Sequence, residues 1–323
     1  PFLIKILKLD QADVAKLAEP EAILAAVRDA FLSHGRGETR MPPKTYLEFP
    51  KGDLRTMPAY IPGLRAAGVK IVNVHPENAT HGLPTVGAVM ILYDPETGAP
   101  TALLDATLLT ALRTGAASAV ATKVLARTDA GRLGIFGAGG QAIAQARMIA
   151  LVRPIHEILI YDVDPKKAAS RGADMEKLLG IRAAGASAEQ VAGCEIVTTI
   201  TPSRTAFLLK KWISPGTHIN AVGADAPGKQ EVEVDLVRVA RVVVDDWKQA
   251  SHSGEIQHAV ARGLDRKHVV EIGDVLSGKV EGRRSGDQIT LFDTTGLAIL
   301  DVAAASVVVD AARKLGIGKT IDL

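Results

Sequence analysis

The sequence predicts an α/β chain in which a doubly wound parallel sheet is inserted in an α+β domain. Three observations predict it. An apolar strand breaks into a glycine turn and then a helix at residues 133–142, strand candidates spaced by helical material follow, and short alternating segments precede. Taken in order, Ile23, Leu24, Val27 and Phe31 recur at helical spacing over residues 21–32, with Pro20 suited to the first turn and Gly35 and Gly37 closing it. Residues 45–49, 54–59, 69–74, 85–93 and 100–104 are apolar or alternating runs separated by Pro, Gly and Asn turns, which reads as a mostly antiparallel sheet. A helix is expected over 107–126. Strands are expected near Leu133, Ile158, Ile196, His218, Val242 and Ile289, and a long apolar helix over 296–315. If that last helix packs back on the first domain, residues 1–113 and 300–323 form one domain and residues 114–299 another.

The stretch Gly137-Ala138-Gly139-Gly140-Gln141-Ala142 has the G-x-G-x-x-A spacing of a Rossmann-type nucleotide domain. Gly137 allows the tight turn, Gly139 lets the backbone approach a pyrophosphate, and Ala142 lets helix and strand pack closely. Amides at the start of the next helix would face the phosphates. Asp162, twenty residues beyond Ala142, ends the second nucleotide strand, where a carboxylate accepts from an adenosine ribose and repels a 2′-phosphate. That favours NAD as cofactor.

Ligands of such sheets lie at the carboxyl ends of the strands. There Thr199, Thr201 and Ser203 either line the middle of the cofactor or close a strand in a hydroxyl turn. Asp225, held between glycine and proline in the run 223–229, is placed near the nicotinamide. The first domain offers Lys44, Arg55, Lys70 and Arg113. Lys70 interrupts an apolar strand, and is either an outward edge lysine or a desolvated acid/base group with a carboxylate partner, for which Asp225 is the candidate. Arg113, beside the small residues 114–117, suits capture of a carboxylate or pyrophosphate, or else a surface position.

The 323 residues carry a formal charge of +2 with both signs interspersed, so no basic stripe suggests nucleic acid. Cys194 is the only cysteine, which excludes an intrachain disulfide and a multi-cysteine metal site, and it reads as a buried small hydrophobe. No apolar run reaches the length of a membrane span. A cytoplasmic, metal-free protein is expected.

Several stretches together resemble the ornithine cyclodeaminase/μ-crystallin family. They are Met57-Pro58-Ala59, residues 70–73 with His75, Pro76 and Asn78, residues 109–116, Gly137 to Gln141, the run from Gly223 to Lys229, and residues 291–296. The resemblance implies a homodimer whose first domain binds substrate and whose Rossmann domain binds NAD(P), oxidising an amino acid at Cα or reducing an imine. It implies catalytic roles for Lys70 and Asp225, and substrate contacts for Arg55, Lys70, Arg113 and Thr295. Cofactor contacts are implied for Thr85, Arg113, Thr114, Gly137, Gly139, Gly140, Gln141, Asp162, Thr199, Thr201, Val222, Gly223, Ala224, Asp225, Lys229 and Thr294. Where the cyclodeaminases have a glutamate before their Leu-Met-Pro segment, this chain has Arg55, which would repel a second ammonium. Lys44 stands where they have an arginine. The run from Met41 to Arg55 is instead similar to the archaeal alanine dehydrogenase branch, which implies NAD-dependent oxidation of L-alanine to pyruvate and ammonium. Cyclodeaminase, ketimine reductase and non-enzymatic hormone-binding activities are the alternatives within the resemblance.

Overall fold

The computed structural model describes residues 4–323. The chain divides into two compact units, Pro1–Arg113 with Leu297–Leu323, and Thr114–Gly296.

The first unit contains β1 (Lys5–Leu9), α1 (Gln11–Leu17), α2 (Pro20–Gly35), β2 (Thr45–Phe49), β3 (Gly52–Ile61), β4 (Ala66–Val74), β5 (Val86–Tyr93) and β6 (Pro100–Asp105). The helix α3 (Thr107–Leu125) then carries the chain into the second unit. The second contains β7 (Arg132–Phe136), α4 (Ala142–Ala150), β8 (Glu157–Tyr161), α5 (Pro165–Leu179), β9 (Arg182–Gly185), α6 (Ala188–Ala192), β10 (Ile196–Thr199) and β11 (His218–Ala221). It continues through α7 (Val234–Val239), β12 (Arg241–Val244), α8 (Trp247–Ser253), α9 (Gln257–Ala261), β13 (Val269–Glu271), α10 (Ile272–Leu276) and β14 (Thr290–Asp293). Last, α11 (Ala298–Leu315) and β15 (Lys319–Asp322) belong to the first unit.

The first sheet runs in the order β15-β1-β6-β5-β4-β3-β2. Only β1 and β6 pair parallel, so the expectation of a mostly antiparallel sheet holds. In β4 the residues Ala66, Gly68, Lys70 and Val72 face inward and their neighbours do not, which is the two-residue period of a strand covered on one face. The cover over β3, β4 and β5 is α11. Its buried Ala303, Ala304 and Ala305 leave room for close approach, and Gly316 in the left-handed conformation stops it.

The second sheet has eight strands, all parallel, in the order β13-β12-β14-β11-β10-β7-β8-β9. Strand order reverses between β7 and β10, so the ends of these strands open the crevice expected of a doubly wound sheet. Being covered on both faces, the strands read as apolar runs rather than alternations, as in the fully buried IVTT of β10.

Sequence periodicity misses four strands. Two of them show why: β1 is Lys-Ile-Leu-Lys-Leu, whose apolar residues do not alternate, and β9 is the weakly strand-forming Arg-Ala-Ala-Gly, held by its parallel register to β8.

Candidate active site

At the end of β7 the backbone turns through Gly137 at φ +106°, a conformation closed to side chains; a Cβ there would lie 2.7 Å from the Ile200 carbonyl oxygen. Asp162 ends β8 and braces this turn. One carboxylate oxygen accepts from the Ala138 amide at 2.9 Å and the other from the Asp164 amide at 3.1 Å, while Lys167 Nζ stands 3.7 Å away. Beside the turn lies a cavity of about 600 Å³ walled by Phe136, Tyr161 and Phe207, with Gly137, Gly139, Asp162 and Thr201 also lining it. Cβ atoms added at Gly139 or Gly140 would meet no protein atom within 4 Å, so the loop backbone is open to a ligand. A cavity of this size with an aromatic wall, a carboxylate and bare glycine backbone fits the adenosine end of a dinucleotide.

The floor of the crevice is held by buried carboxylates. Glu231 accepts from the Thr199 hydroxyl (2.7 Å), the Thr201 amide and hydroxyl (both 2.7 Å) and the Gly223 amide (2.8 Å). Glu255 in turn accepts from the Glu231 and Val232 amides. Asp293 accepts from the Ile256 amide. Burial pushes all three carboxyls above the usual range; Glu231 adds its charge to the effect at Glu255, and Asp245 adds its own at Asp293. Asp245 accepts from the Thr294 hydroxyl (2.9 Å) and the Thr295 amide (2.7 Å). Asp225 pairs with Lys229 at 2.5 Å, on a loop whose Val222 and Ala224 are buried.

In the first unit Lys70 is only 1% exposed. It is not an edge lysine, because β4 lies between β3 and β5, which oppose it with the apolar Met57 and Met90. Its ammonium lies 2.7 Å from Asp301 Oδ1, and Arg113 Nε lies 2.8 Å from the same oxygen. Burial, then the Arg113 charge, lowers the Lys70 amine to about 7 against the opposing pull of Asp301. Arg55 is buried on the same face of the sheet, since Arg55 shares the inward parity of Met57, the register partner of Lys70. Its guanidinium grips Asp53 at 2.7 and 3.1 Å and lies over the Tyr46 ring.

The model of the ornithine cyclodeaminase/mu-crystallin family matches residues 6–315. The chain belongs to that family. It is 46% identical to the alanine dehydrogenase of Archaeoglobus fulgidus over 98% of both chains. An archaeal alanine dehydrogenase dimer with bound NAD superposes with a TM-score of 0.94 at 46% identity, covering 98% of this chain and 99% of that one. The Thermococcus litoralis Delta(1)-pyrroline-2-carboxylate reductase, solved with NADH and L-proline, superposes at 0.95 with 36% identity, covering 98% and 100%.

Against that family background the residues expected from sequence fall into separate groups. Gly137, Gly139, Asp162 and Thr201 line one cavity, whereas Gly140, Gln141, Thr199, Val222, Gly223, Ala224, Asp225, Lys229 and Thr294 do not. Thr201 lines the cavity and also accepts from the Ser203 amide at 3.2 Å in a hydroxyl turn. Thr114 is buried on α3, and Thr85 is exposed just before β5, its carbonyl accepting from His75. The carboxylate that the structure sets against Lys70 is Asp301, which sequence reasoning missed. Its signal was available, a single acid in the apolar run 297–309, the same signal that singled out Lys70. Glu231, Glu255 and Asp245 were missed as well, because they sit in loops without periodicity. Cys194 is buried, with its thiol raised by desolvation to about 11. Among the described residues no helix is long and apolar enough to cross a membrane, and no cluster of three ligating side chains could hold a metal.

Proposed function

We propose that the chain is an NAD-dependent L-alanine dehydrogenase working as a homodimer. The observation that carries this reading is the charge of the first unit's inner face. Arg55, Lys70 and Arg113 are buried there, Arg55 paired with Asp53 and the other two sharing Asp301. An excess of buried positive charge suits one substrate carboxylate and disfavours a diamino acid with a second ammonium. The 46% identity to an alanine dehydrogenase over 98% of both chains supports it, and the dimer formed by the archaeal relative supports the assembly. Asp162, with two acceptor oxygens at the end of β8, supports NAD over NADP.

Bound NAD supplies the hydride acceptor. Arg113 and Arg55 hold the substrate carboxylate so that its Cα–H can depart as hydride, leaving an imine. Lys70, with an amine near 7, is poised to accept a proton in its neutral form and return it in its charged form as water adds and ammonia leaves. Asp225 is assigned as the second proton-handling group. Incubation with NAD and alanine, ornithine or proline, following NADH and ammonia together, tests the reading. Alanine should yield NADH and ammonia in equal amounts. Ammonia from ornithine without net NADH would make the protein a cyclodeaminase, and turnover of proline alone an imino acid reductase. Lys70→Met and Asp225→Asn should each lower kcat about a hundredfold or more.

A further inference from the structure

Asp301 stands in the first turn of α11, 2% exposed, and its two oxygens are used unequally. Oδ1 takes both Lys70 Nζ at 2.7 Å and Arg113 Nε at 2.8 Å. Oδ2 is buried with no partner, and the Arg113 Nε–H points too far off Oδ1 to form a directed hydrogen bond. Buried arginine–carboxylate pairs frequently use both oxygens in a fork. Here one oxygen instead joins two cations from two elements, β4 and α3, and an acceptor is left idle in a buried place, where unsatisfied polar atoms call for an explanation.

We propose that Asp301 is a positioning residue of the reaction: through one shared oxygen it governs the proton held by Lys70 and the orientation of Arg113 toward the substrate carboxylate. Every charged group facing Lys70 fits this role. Strands β3 and β5 present methionines opposite it, so neither neighbour at that register contributes charge. Arg113 from α3 and Lys44 from the segment before β2 both disfavour the ammonium, as burial does, and Asp301 from α11 opposes all three. Arg55, on the same sheet face, has its own carboxylate in Asp53. Without Asp301 the lysine would be neutral throughout the neutral range, fit to accept a proton but unable to return one. Loss of the shared oxygen would therefore affect the two directions of the reaction unequally. That consequence rests on the proposed function, whereas the effect on the Lys70 proton does not.

The experiment compares wild type with Asp301→Asn, Asp301→Glu and Arg113→Met. Lys70 is titrated directly by 13C NMR of protein carrying labelled lysine, the resonance being assigned from its absence in Lys70→Met. Kinetics are run against pH in both directions, and NADH affinity and melting temperature verify the fold. In Asp301→Asn the Lys70 titration, and with it the acid limb of alanine oxidation, should move down by about one pH unit or more. Reductive amination near neutral pH should fall at least about tenfold, KM for alanine should rise severalfold, and NADH affinity should hold within about twofold. Asp301→Glu, which keeps the charge, should return the limb toward wild type. Should Asp301→Asn not fold, Arg113→Met decides, because removing the competing cation must move the Lys70 titration upward. An unchanged Lys70 titration in either variant would overturn the proposal. If instead Lys70 titrates as expected while Lys70→Met retains wild-type turnover, the role of Lys70 in the proposed function fails and the coupling to Asp301 stands.

Discussion

Gly137 and Gly139 lie two residues apart in one turn, yet replacing each with alanine should break different things. At Gly137 the backbone has φ +106°, and an added Cβ would lie 2.7 Å from the Ile200 oxygen and 3.1 Å from a Thr201 methyl. Holding a side chain in such a region costs about 1–3 kcal/mol, and forcing a methyl against a packed backbone costs about 1–3 kcal/mol more. At about 2–4 °C per kcal/mol for a unit of this size, Gly137→Ala should lower the melting temperature on the order of 5–15 °C. At Gly139 an added Cβ meets nothing within 4 Å and φ is not left-handed. Gly139→Ala should therefore leave stability unchanged or raise it by up to about 1 kcal/mol through the stiffer unfolded chain. Its methyl would instead occupy the space at which the loop meets the dinucleotide, weakening NADH about tenfold or more, or about 1.4 kcal/mol. Differential scanning calorimetry and NADH fluorescence titration on both variants give the two readings. Should Gly139→Ala bind NADH like wild type, the loop does not face the cofactor and the reasoning about its open backbone is wrong.

Asp162→Ala should narrow the preference for NAD over NADP by removing both the ribose acceptor and the repulsion of a 2′-phosphate, and with Lys167 nearby the variant should gain NADP turnover outright. Comparable kcat/KM with the two cofactors in wild type would refute it. Arg55→Glu should weaken alanine turnover strongly and relax the exclusion of ornithine; unchanged alanine kinetics would reduce Arg55 to a partner of Asp53. The raised carboxyls of Glu231, Glu255 and Asp293 make a prediction about pH. A carboxyl whose folded pKa lies above its unfolded value contributes stability fully below about pH 4 and loses it as pH rises toward the folded value. Melting temperature should thus decline as pH rises above about 4, and Glu255→Gln should flatten that decline; parallel curves for variant and wild type would show that Glu255 does not titrate in this window.

Much of the nucleotide-binding unit was legible in the sequence because its information is local. A strand covered on both faces is an apolar run, the turn after β7 needs glycine at a positive φ, and the acid at the end of β8 lies at a set distance along the chain. The turn's brace was legible only in part: Asp162 was expected to face a ribose, and that it also accepts from the Ala138 amide follows from the parallel register of β7 and β8. Lys70 announced itself as a charge in an apolar strand, since burying an ammonium is costly wherever the strand lies. Which carboxylate meets it was decided by tertiary structure alone. Asp301 is 231 residues away and comes to Lys70 because α11 returns across β3, β4 and β5. Periodicity records which side of an element is buried; it holds nothing about which distant element covers that side, and so nothing about which charge ends beside which.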